Sequence, residues 1–370
     1  GDVTVTDCLI DSNTAITDAG GIFGNGALTT ILSTTVRFNQ AAWSAGGVWA
    51  ENAAHVDNAT FDANQSGATG GGLHSNGGDS LAVSSTFSAN LAGNQVVDGS
   101  ERGGGAIHQS GGSLTVLDVT LSNNRSLNEG GAVAVRGALT VTNSAFLTNT
   151  ASSRGGAIFA TSVFDTAADF PGFAIAASDF VSNTVIDGDG GAIYAEGPLA
   201  ISGSHFTRNA ATGSTSPQGG AVHHRAGTAA DLLRAADNIY TENYAAQQGG
   251  AVFTQGGAFS RELFANNRSD SEGAGLMVQG NSTISHSVFT GNVGRLSGAL
   301  TAAGQSGNAI TLTVLSSLFH NNGFVQTNTF AVGAEMKIFD ANLILINNTF
   351  ADPQMPAGAI FQQGVQLFRT

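Results

Sequence analysis

The chain has 370 residues, among them 51 glycines, 5 prolines and 1 cysteine, and charged residues make up only 11% of it. A hydrophobic content of 41% can support a large core, so the composition excludes a fully disordered chain, and the lack of a three-residue glycine period excludes collagen. The net charge of −14 argues against a nucleic-acid-binding protein, and no apolar run is long enough to predict a transmembrane segment.

Both ends of the chain have the pattern of β-strands. Residues Val3 to Thr6 alternate between apolar and polar, and Val365 to Phe368 close the chain without an evident capping segment. The sequence begins with Gly1 and shows no signal peptide. We therefore expect a processed product or an excised piece of something longer.

An internal repeat organises the chain between these ends. A bulky apolar residue followed three positions later by asparagine recurs at intervals of about 28 residues. The asparagines of this motif are Asn13, Asn39, Asn64, Asn90, Asn124, Asn149, Asn183, Asn209, Asn243, Asn267, Asn292 and Asn322. Phe350 begins a further copy in which Pro353 takes the place of asparagine.

Two further sequence patterns recur with the same period as this motif. Usually nine residues after the apolar residue of this motif come two small residues, an alanine or glycine and an aliphatic residue, as in Gly155 to Ile158. Gly104 to Ile107 is the same motif after an enlarged loop. Short segments with period-two alternation, such as Leu114 to Val116, precede each apolar residue of the first motif. No segment has a convincing helical stripe, so each repeat is predicted to be strand, corner, strand, corner.

One such unit cannot bury a face alone, but stacked copies can. The sequence therefore predicts an all-β fold: a right-handed, single-stranded parallel β-helix (a solenoid) of about 13 coils. Glycine suits corners with a positive φ, and asparagine tolerates the left-handed conformation. We expect the asparagines to form a hydrogen-bonded ladder from coil to coil and the phenylalanines to stack inside.

The pairing of GGA[ILV] with FxxN resembles the repeat of the chlamydial polymorphic outer-membrane proteins and, more broadly, the β-helix passengers of autotransporter adhesins. The resemblance covers essentially the whole chain, although no membrane-barrel domain is visible and the last coils weaken the motif, with Pro353 in the final copy. It implies an extracellular or cell-surface protein. Residues 1–370 are accordingly expected to form a single β-helix domain, a fragment of a longer surface protein.

Two classes of function remain open. The first is a non-enzymatic structural or adhesive rod that assembles end-to-end or laterally into a filament or surface array. Its partners would be other copies of itself or a host or cell-surface protein or glycan, with no nucleic acid and no cofactor. The alternative is a polysaccharide lyase or glycoside hydrolase of the pectin-lyase-like fold, which would need convergent carboxylates or a bound cation. A third, ice binding, ranks low because the threonine positions are interrupted.

A column of residues directly after the aliphatic residue of the GGA[ILV] motif is a candidate binding stripe. Alternation along the strand predicts that these side chains point outward, where they would stack on sugar rings or pack against another rod. A neighbouring loop that covers them is the competing interpretation. The residues are Phe23, Trp49, His74, His108, Phe159, Tyr194, His223 and Phe253.

Acidic residues are scattered, and none forms an obvious paired column, so no catalytic residue and no metal site is predicted. The closest group in sequence is Asp165, Asp169, Asp187 and Asp189, for which solvated loop acids are the plainer interpretation. Enlarged loops, such as 91–103 and 210–218, are either tolerated insertions or parts of a binding surface.

Overall fold

The computed structural model describes residues 1–93, 103–162, 172–228, 231–304, 308–324, 335–351, 360–363 and 367–369. Asp165 and Asp169 lie outside these residues. The chain divides into two compact units. Unit 1 consists of Gly1–Ile186 and Ala192–Glu196, and unit 2 of Asp187–Gly191 and Gly197–Thr370. The single domain expected from the sequence stays a prediction.

Unit 1 contains the first 28 strands, most of them two to five residues long. They are β1 (Val3–Thr6), β2 (Leu9–Asp11), β3 (Thr14–Ala15), β4 (Ile22–Gly24), β5 (Leu28–Leu32), β6 (Thr35–Arg37), β7 (Gln40–Ala41), β8 (Val48–Ala50), β9 (Ala53–Asp57), β10 (Thr60–Asp62), β11 (Gln65–Ser66), β12 (Leu73–Ser75), β13 (Asp79–Val83), β14 (Thr86–Ser88), β15 (Leu91–Ala92), β16 (Ile107–Gln109), β17 (Ser113–Leu117), β18 (Thr120–Ser122), β19 (Arg125–Ser126), β20 (Val133–Val135), β21 (Ala138–Thr142), β22 (Ala145–Leu147), β23 (Thr150–Ala151), β24 (Ile158–Thr161), β25 (Phe173–Ala176), β26 (Asp179–Val181), β27 (Thr184–Val185) and β28 (Ile193–Glu196).

Unit 2 contains the remaining strands. They are β29 (Leu199–Ser202), β30 (His205–Thr207), β31 (Ala210–Ala211), β32 (Val222–Arg225), β33 (Leu233–Ala236), β34 (Ile239–Thr241), β35 (Tyr244–Ala245), β36 (Val252–Thr254), β37 (Gly257–Ser260), β38 (Leu263–Ala265), β39 (Arg268–Ser269), β40 (Leu276–Val278), β41 (Ser282–Ser285), β42 (Val288–Thr290), β43 (Val293–Gly294), β44 (Leu300–Ala303), β45 (Ile310–Leu315), β46 (Leu318–His320), β47 (Gly323–Phe324), β48 (Met336–Phe339), β49 (Ala341–Ile346), β50 (Thr349–Ala351), β51 (Ile360–Gln363) and β52 (Leu367–Arg369).

Within each unit the strands form four parallel sheets, because every coil contributes one strand to each sheet in turn. In unit 1 the first sheet is β1-β5-β9-β13-β17-β21-β25, and the second, third and fourth sheets begin with β2, β3 and β4. In unit 2 they begin with β29, β30, β31 and β32. The described residues contain no helix. The predicted all-β parallel β-helix is therefore confirmed.

The apolar residue of the FxxN motif lies inside each coil, directly over its copy in the next. Phe61 pairs in register with Phe87, and their ring centroids are 4.6 Å apart. In unit 2 the rings of Phe264 and Phe289 are equally close. Both rings of each pair are fully buried, which removes large apolar surfaces from water.

The asparagine ladder is present in both units. The backbone N and Nδ2 of Asn124 donate to Oδ1 of Asn149 over 3.0 and 3.1 Å, and Asn149 donates in the same way to Asn183. Unit 2 repeats the pattern from Asn209 to Asn322, as in the 3.0 Å bond from Asn243 to Asn267. Each asparagine thus satisfies buried backbone and side-chain groups of two coils.

The conformation expected for these asparagines is corrected by the structure. The left-handed residue is the one before each asparagine, as in Ala63 (φ 51°), Ala89 (φ 53°) and Thr148 (φ 53°). Among the described residues, none of the ladder asparagines has a positive φ. The preceding residue adopts the left-handed conformation that turns the chain, so that the asparagine side chain points inward at the start of the third strand.

Candidate functional site

Most of the predicted aromatic and histidine stripe is buried. Phe23 is 54% exposed and Trp49 is half-buried, its Nε1 donating to Oε2 of Glu51 over 3.0 Å. The other six members are at most 5% exposed: His74, His108, Phe159, Tyr194, His223 and Phe253. The expectation that the stripe is open to solvent is therefore wrong for these six residues, which are buried as the competing interpretation has it.

The segment just before the GGA[ILV] motif contacts the column, through Thr69 at His74 and through Arg154 at Phe159 and Tyr194. Single residues of this segment pair between coils, as Glu129 does with Arg154 in unit 1 and Gln248 with Glu272 in unit 2. We call the set of residues paired in this way the covering row. Its members are Thr69, Gly103, Glu129, Arg154, Gln218, Gln248 and Glu272. Oγ1 of Thr69 lies 2.7 Å from Nδ1 of His74, so the row contacts the column directly.

A left-handed glycine directs the covering row back onto the fourth sheet. Gly104 has a φ of 68°, and a Cβ there would lie 2.2 Å from the carbonyl oxygen of Ile107. No other residue fits such a close approach without strain. The first glycine of the motif therefore determines that the column is covered.

Within unit 1, the column residues still form one continuous stack at their exposed end. The rings of Trp49 and His74 are 4.1 Å apart and nearly parallel, and those of His74 and His108 are 5.0 Å apart. Further along the same unit, the guanidinium of Arg154 lies over both Phe159 and Tyr194. This part of the stripe contributes to packing, because its aromatic faces are occupied.

Sequence reasoning missed a second ladder, at the corner between the first and second strands of each coil. The backbone N–H of one corner residue donates to the side chain of the next, as from Val119 to Oγ of Ser144 over 3.1 Å and from Ser287 to Oγ of Ser317. We call this set the corner ladder. Its members are Cys8, Thr34, Ala59, Ser85, Val119, Ser144 and Ser178 in unit 1, and Ser204, Asn238, Glu262, Ser287, Ser317 and Asn348 in unit 2. Its signal in the sequence is a serine two positions before phenylalanine.

The loop carboxylates Asp187 and Asp189 of unit 2 bind the backbone of the segment before Gly219. Oδ1 of Asp187 accepts from the backbone N–H groups of Ser214 and Thr215 and from the Thr215 hydroxyl, which together hold its pKa below the ordinary value of 3.8. Asp189 accepts from the backbone N–H of Gln218 over 2.8 Å. These contacts order the loop.

The two adjacent histidines, His223 and His224, point in different directions. His223 belongs to the column, while His224 is buried inside between Oγ1 of Thr254 (2.9 Å) and the carbonyl of Gly197 (3.0 Å). Burial lowers the pKa of His224 to about 4, so its imidazole is neutral at pH 7. Among the described residues, no three His, Cys, Asp or Glu side chains are grouped to hold a metal ion.

The outer face of the first sheet of unit 2 carries a shallow groove of about 400 Å³. Its outward-facing residues come from β29, β33, β37 and β41 and are small except for one: Ala200, Ser202, Arg234, Ala236, Ala258, Ser260, Thr283 and Ser285. Arg234 lies in register between Ala200 and Ala258, so its charge stands alone on the floor of the groove.

A second arginine marks the edge of this groove at the corner of the coil. Arg261 binds both carboxylate oxygens of Asp237, over 2.6 and 2.7 Å, and donates to Oγ of Ser260 over 3.1 Å. Its charge is thereby matched by Asp237, whose pKa is lowered by the same contact. Among the residues that line the groove, Arg234 is the basic one.

Comparison with known proteins found no significant match, either to a protein-family model or to a curated protein or a solved structure. In the described part of the chain, no helix has the length and apolar character needed to cross a bilayer.

Proposed function

We propose that this protein is a non-enzymatic structural or adhesive scaffold of the cell surface or extracellular space. It binds a host or cell-surface glycan or protein, or further copies of itself, through its outer faces. Two regular ladders hold the interior of each unit, so outward positions are free to vary without loss of the fold. This division between a fixed interior and a variable exterior suits a binding scaffold.

The groove with Arg234 is the observation on which the proposed binding function depends. Its small floor residues leave the surface of four neighbouring strands accessible, and Arg234 supplies a cation for an anionic group. An isolated cation on a protein with a net charge of −14 favours a local, specific contact over a general electrostatic attraction.

Binding to immobilised surface glycans, both acidic and neutral, and to intact cells tests this proposal, with Arg234→Gln as the variant. We expect at least about a tenfold loss of affinity, because a charge-assisted contact to an anion is worth about 1.5–3 kcal/mol. Arg208→Gln is the matched control, since Arg208 is an exposed arginine of the same unit outside the groove. If the unmodified protein, Arg234→Gln and Arg208→Gln bound with equal affinity, the groove would not be the binding surface.

The same incubations distinguish the alternative, a polysaccharide lyase or hydrolase. A scaffold leaves the chain length of every glycan unchanged, which size-exclusion chromatography measures. Shortened chains that depend on the protein would contradict the non-enzymatic proposal. In that case Asp187→Asn and Asp189→Asn become the first variants to examine, together with changes at Asp165 and Asp169.

A further inference from the structure

Glu262 occupies a position in the corner ladder of unit 2 where the pattern calls for a small neutral side chain. Ser287 and Ser317 hold the same position in the following coils, and Asn238 holds it in the preceding one. Glu262 is only 2% exposed. A carboxyl group has therefore been placed inside the wall of the coil, where an ionised side chain is costly unless it is compensated.

The carboxyl group of Glu262 has few partners. Its donors come from Asn238 alone: Nδ2 lies 3.4 Å from Oε1, a long hydrogen bond, and the backbone N–H of Asn238 also interacts with the carboxyl group, whereas Oε2 has no hydrogen-bond partner in the described structure. The surrounding backbone is nevertheless tightly paired. The N–H of Leu263 donates to the carbonyl of Asn238, and the N–H of Val288 donates to that of Glu262, both over 2.9 Å.

In the described structure, no charged group around this corner forms an ion pair with the Glu262 carboxyl group. Arg261 is adjacent in the chain, but its guanidinium binds Asp237 and Ser260 at the surface. Asp237, in the preceding coil, is itself negative, and His286 at the next corner is exposed. From the second sheet, the fully buried phenol of Tyr240 faces this region and has no hydrogen-bond partner in the described structure.

The electrostatics agree with this geometry. Burial raises the pKa of Glu262 to about 8, and the negative charge of Asp237 adds to the shift, although the side-chain and backbone donors of Asn238 and the positive charge of Arg261 oppose it. Burial also raises the pKa of Tyr240, and the charge of Glu262 raises it further. Both groups are neutral in the folded protein at mildly acidic pH.

We propose that Glu262 is a proton-operated latch in unit 2: the protonated carboxyl closes the corner between Asn238 and Ser287, and loss of the proton opens it. The proton leaves to water, and the carboxylate then gains solvation only if the corner moves apart. This regulatory role is separate from ligand binding in the groove.

The direction of the pH dependence follows from proton linkage. The ordinary pKa of the carboxyl is 4.5, and the closed corner raises it to about 8. The closed form therefore binds the proton more tightly than the open form, and closure is favoured most at or below pH 4.5. The advantage declines as the pH rises from there towards 8, and it does not change further above that value.

Hydrogen exchange of the Leu263 and Val288 amides, corrected for the intrinsic pH dependence of exchange, measures the opening of this corner in the full chain. Between pH 5 and pH 7 we expect the opening constant to rise up to about 100-fold, since one proton is released per opening. In Glu262→Gln, the neutral isostere, it should stay within about threefold over the same range. Glu242→Gln, a change at an exposed corner of the same unit, should behave like the unmodified protein.

Two results would overturn the latch: no change in opening between pH 5 and 7 in the unmodified protein, or the same change in Glu262→Gln. Glu262→Ser restores the residue found in the next coils and provides a second test if the glutamine does not fit. In this variant the Leu263 and Val288 amides should be protected from hydrogen exchange at both pH 5 and pH 7. Failure of both variants to fold at pH 5 would also contradict the proposal, because a neutral side chain should close the corner. None of these results depends on ligand binding.

Discussion

Units 1 and 2 wind the same coil around differently filled interiors. In unit 1 the stack of the second sheet mixes aliphatic and aromatic residues: Ile10, Val36, Phe61, Phe87, Leu121, Phe146 and Phe180. In unit 2 every described member is aromatic, with ring centroids 4.6 to 5.0 Å apart, from Phe206 through Tyr240 to Phe350. The asparagine ladder is nevertheless the same in both units. Backbone pairing and the ladder therefore set the coil geometry, and a range of apolar side chains can fill it.

The two units also differ in the polar residues of their walls. The corner ladder of unit 1 is neutral, with Thr34 and Ser144 as typical members, whereas that of unit 2 includes the buried Glu262. Unit 2 also ends its asparagine ladder on a carboxyl group, because Nδ2 of Asn322 donates to Oε2 of Glu335 over 2.6 Å. Unit 2 is thus the part whose stability we expect to depend most on pH.

The largest effect is expected from deleting a ring of the aromatic stack. Phe264→Ala removes a fully buried ring between Tyr240 and Phe289 and should cost unit 2 about 3–5 kcal/mol. Leu121→Ala at the equivalent place of unit 1 should lower the free energy of unfolding less, by about 2–3 kcal/mol, because the deleted side chain is smaller and no ring-on-ring stacking is lost.

Urea unfolding can separate the two units in this experiment. Both tryptophans, Trp43 and Trp49, lie in unit 1, so their fluorescence reports on that unit, while hydrogen exchange reports on unit 2. If Leu121→Ala lowered the free energy of unfolding as much as Phe264→Ala or more, the continuous aromatic stack would add no stability.

Breaking the asparagine ladder should have an intermediate effect that is the same in both units. Asn149→Ala removes the partner of the Asn124 backbone N–H, the Asn149 donor to the carbonyl of Leu121 and one of the two bonds of Asn124 Nδ2. Asn267→Ala does the same to Asn243 and Tyr240. We expect each to cost about 2–4 kcal/mol, since buried unpaired groups cost about 1–3 kcal/mol each.

The exposed Asn52 of unit 1 serves as the control for the ladder, because its Nδ2 makes a single bond to the Gly26 carbonyl. Asn52→Ala should cost less than about 1 kcal/mol. If the losses for Asn149→Ala and Asn267→Ala differed by more than about 2 kcal/mol, the idea of one ladder shared by both units would be wrong.

The smallest effect is expected at Glu335. Burial raises its pKa to about 7, against the effect of the Asn322 donors, so the folded form keeps a proton that the unfolded chain releases above its ordinary pKa of 4.5. The contribution of Glu335 to the free energy of unfolding of unit 2 should therefore fall by about 1–3 kcal/mol as the pH rises from 5 to 8.

Glu335→Gln should remove this part of the pH dependence, as measured by urea unfolding at pH 5 and 8, while Glu242→Gln leaves it unchanged. Unit 1, followed by tryptophan fluorescence, should not respond to the Glu335 substitution. An equally steep pH profile in Glu335→Gln would place the titration elsewhere in unit 2.

The sequence alone predicted the parallel β-helix, the asparagine ladder and the buried FxxN residues, because a repeated motif has to place like residues over like when its copies stack. Pro353 lies outside the described residues, so the end of the asparagine series at that position stays a prediction. The periodicity could not show that Glu335, at an alanine position of the GGA[ILV] motif, supplies the final acceptor for Asn322.

Only the tertiary structure decided which outward positions are accessible. Alternation placed His108 and Phe159 on the outer side of their strands, but the covering row, turned back at Gly104 and Gly155, buries them. The sequence shows the direction of a side chain from its own strand, whereas its exposure depends on where a neighbouring turn lies. For the same physical reason the groove around Arg234 could not be predicted, since its shape comes from the outward residues of four separate coils.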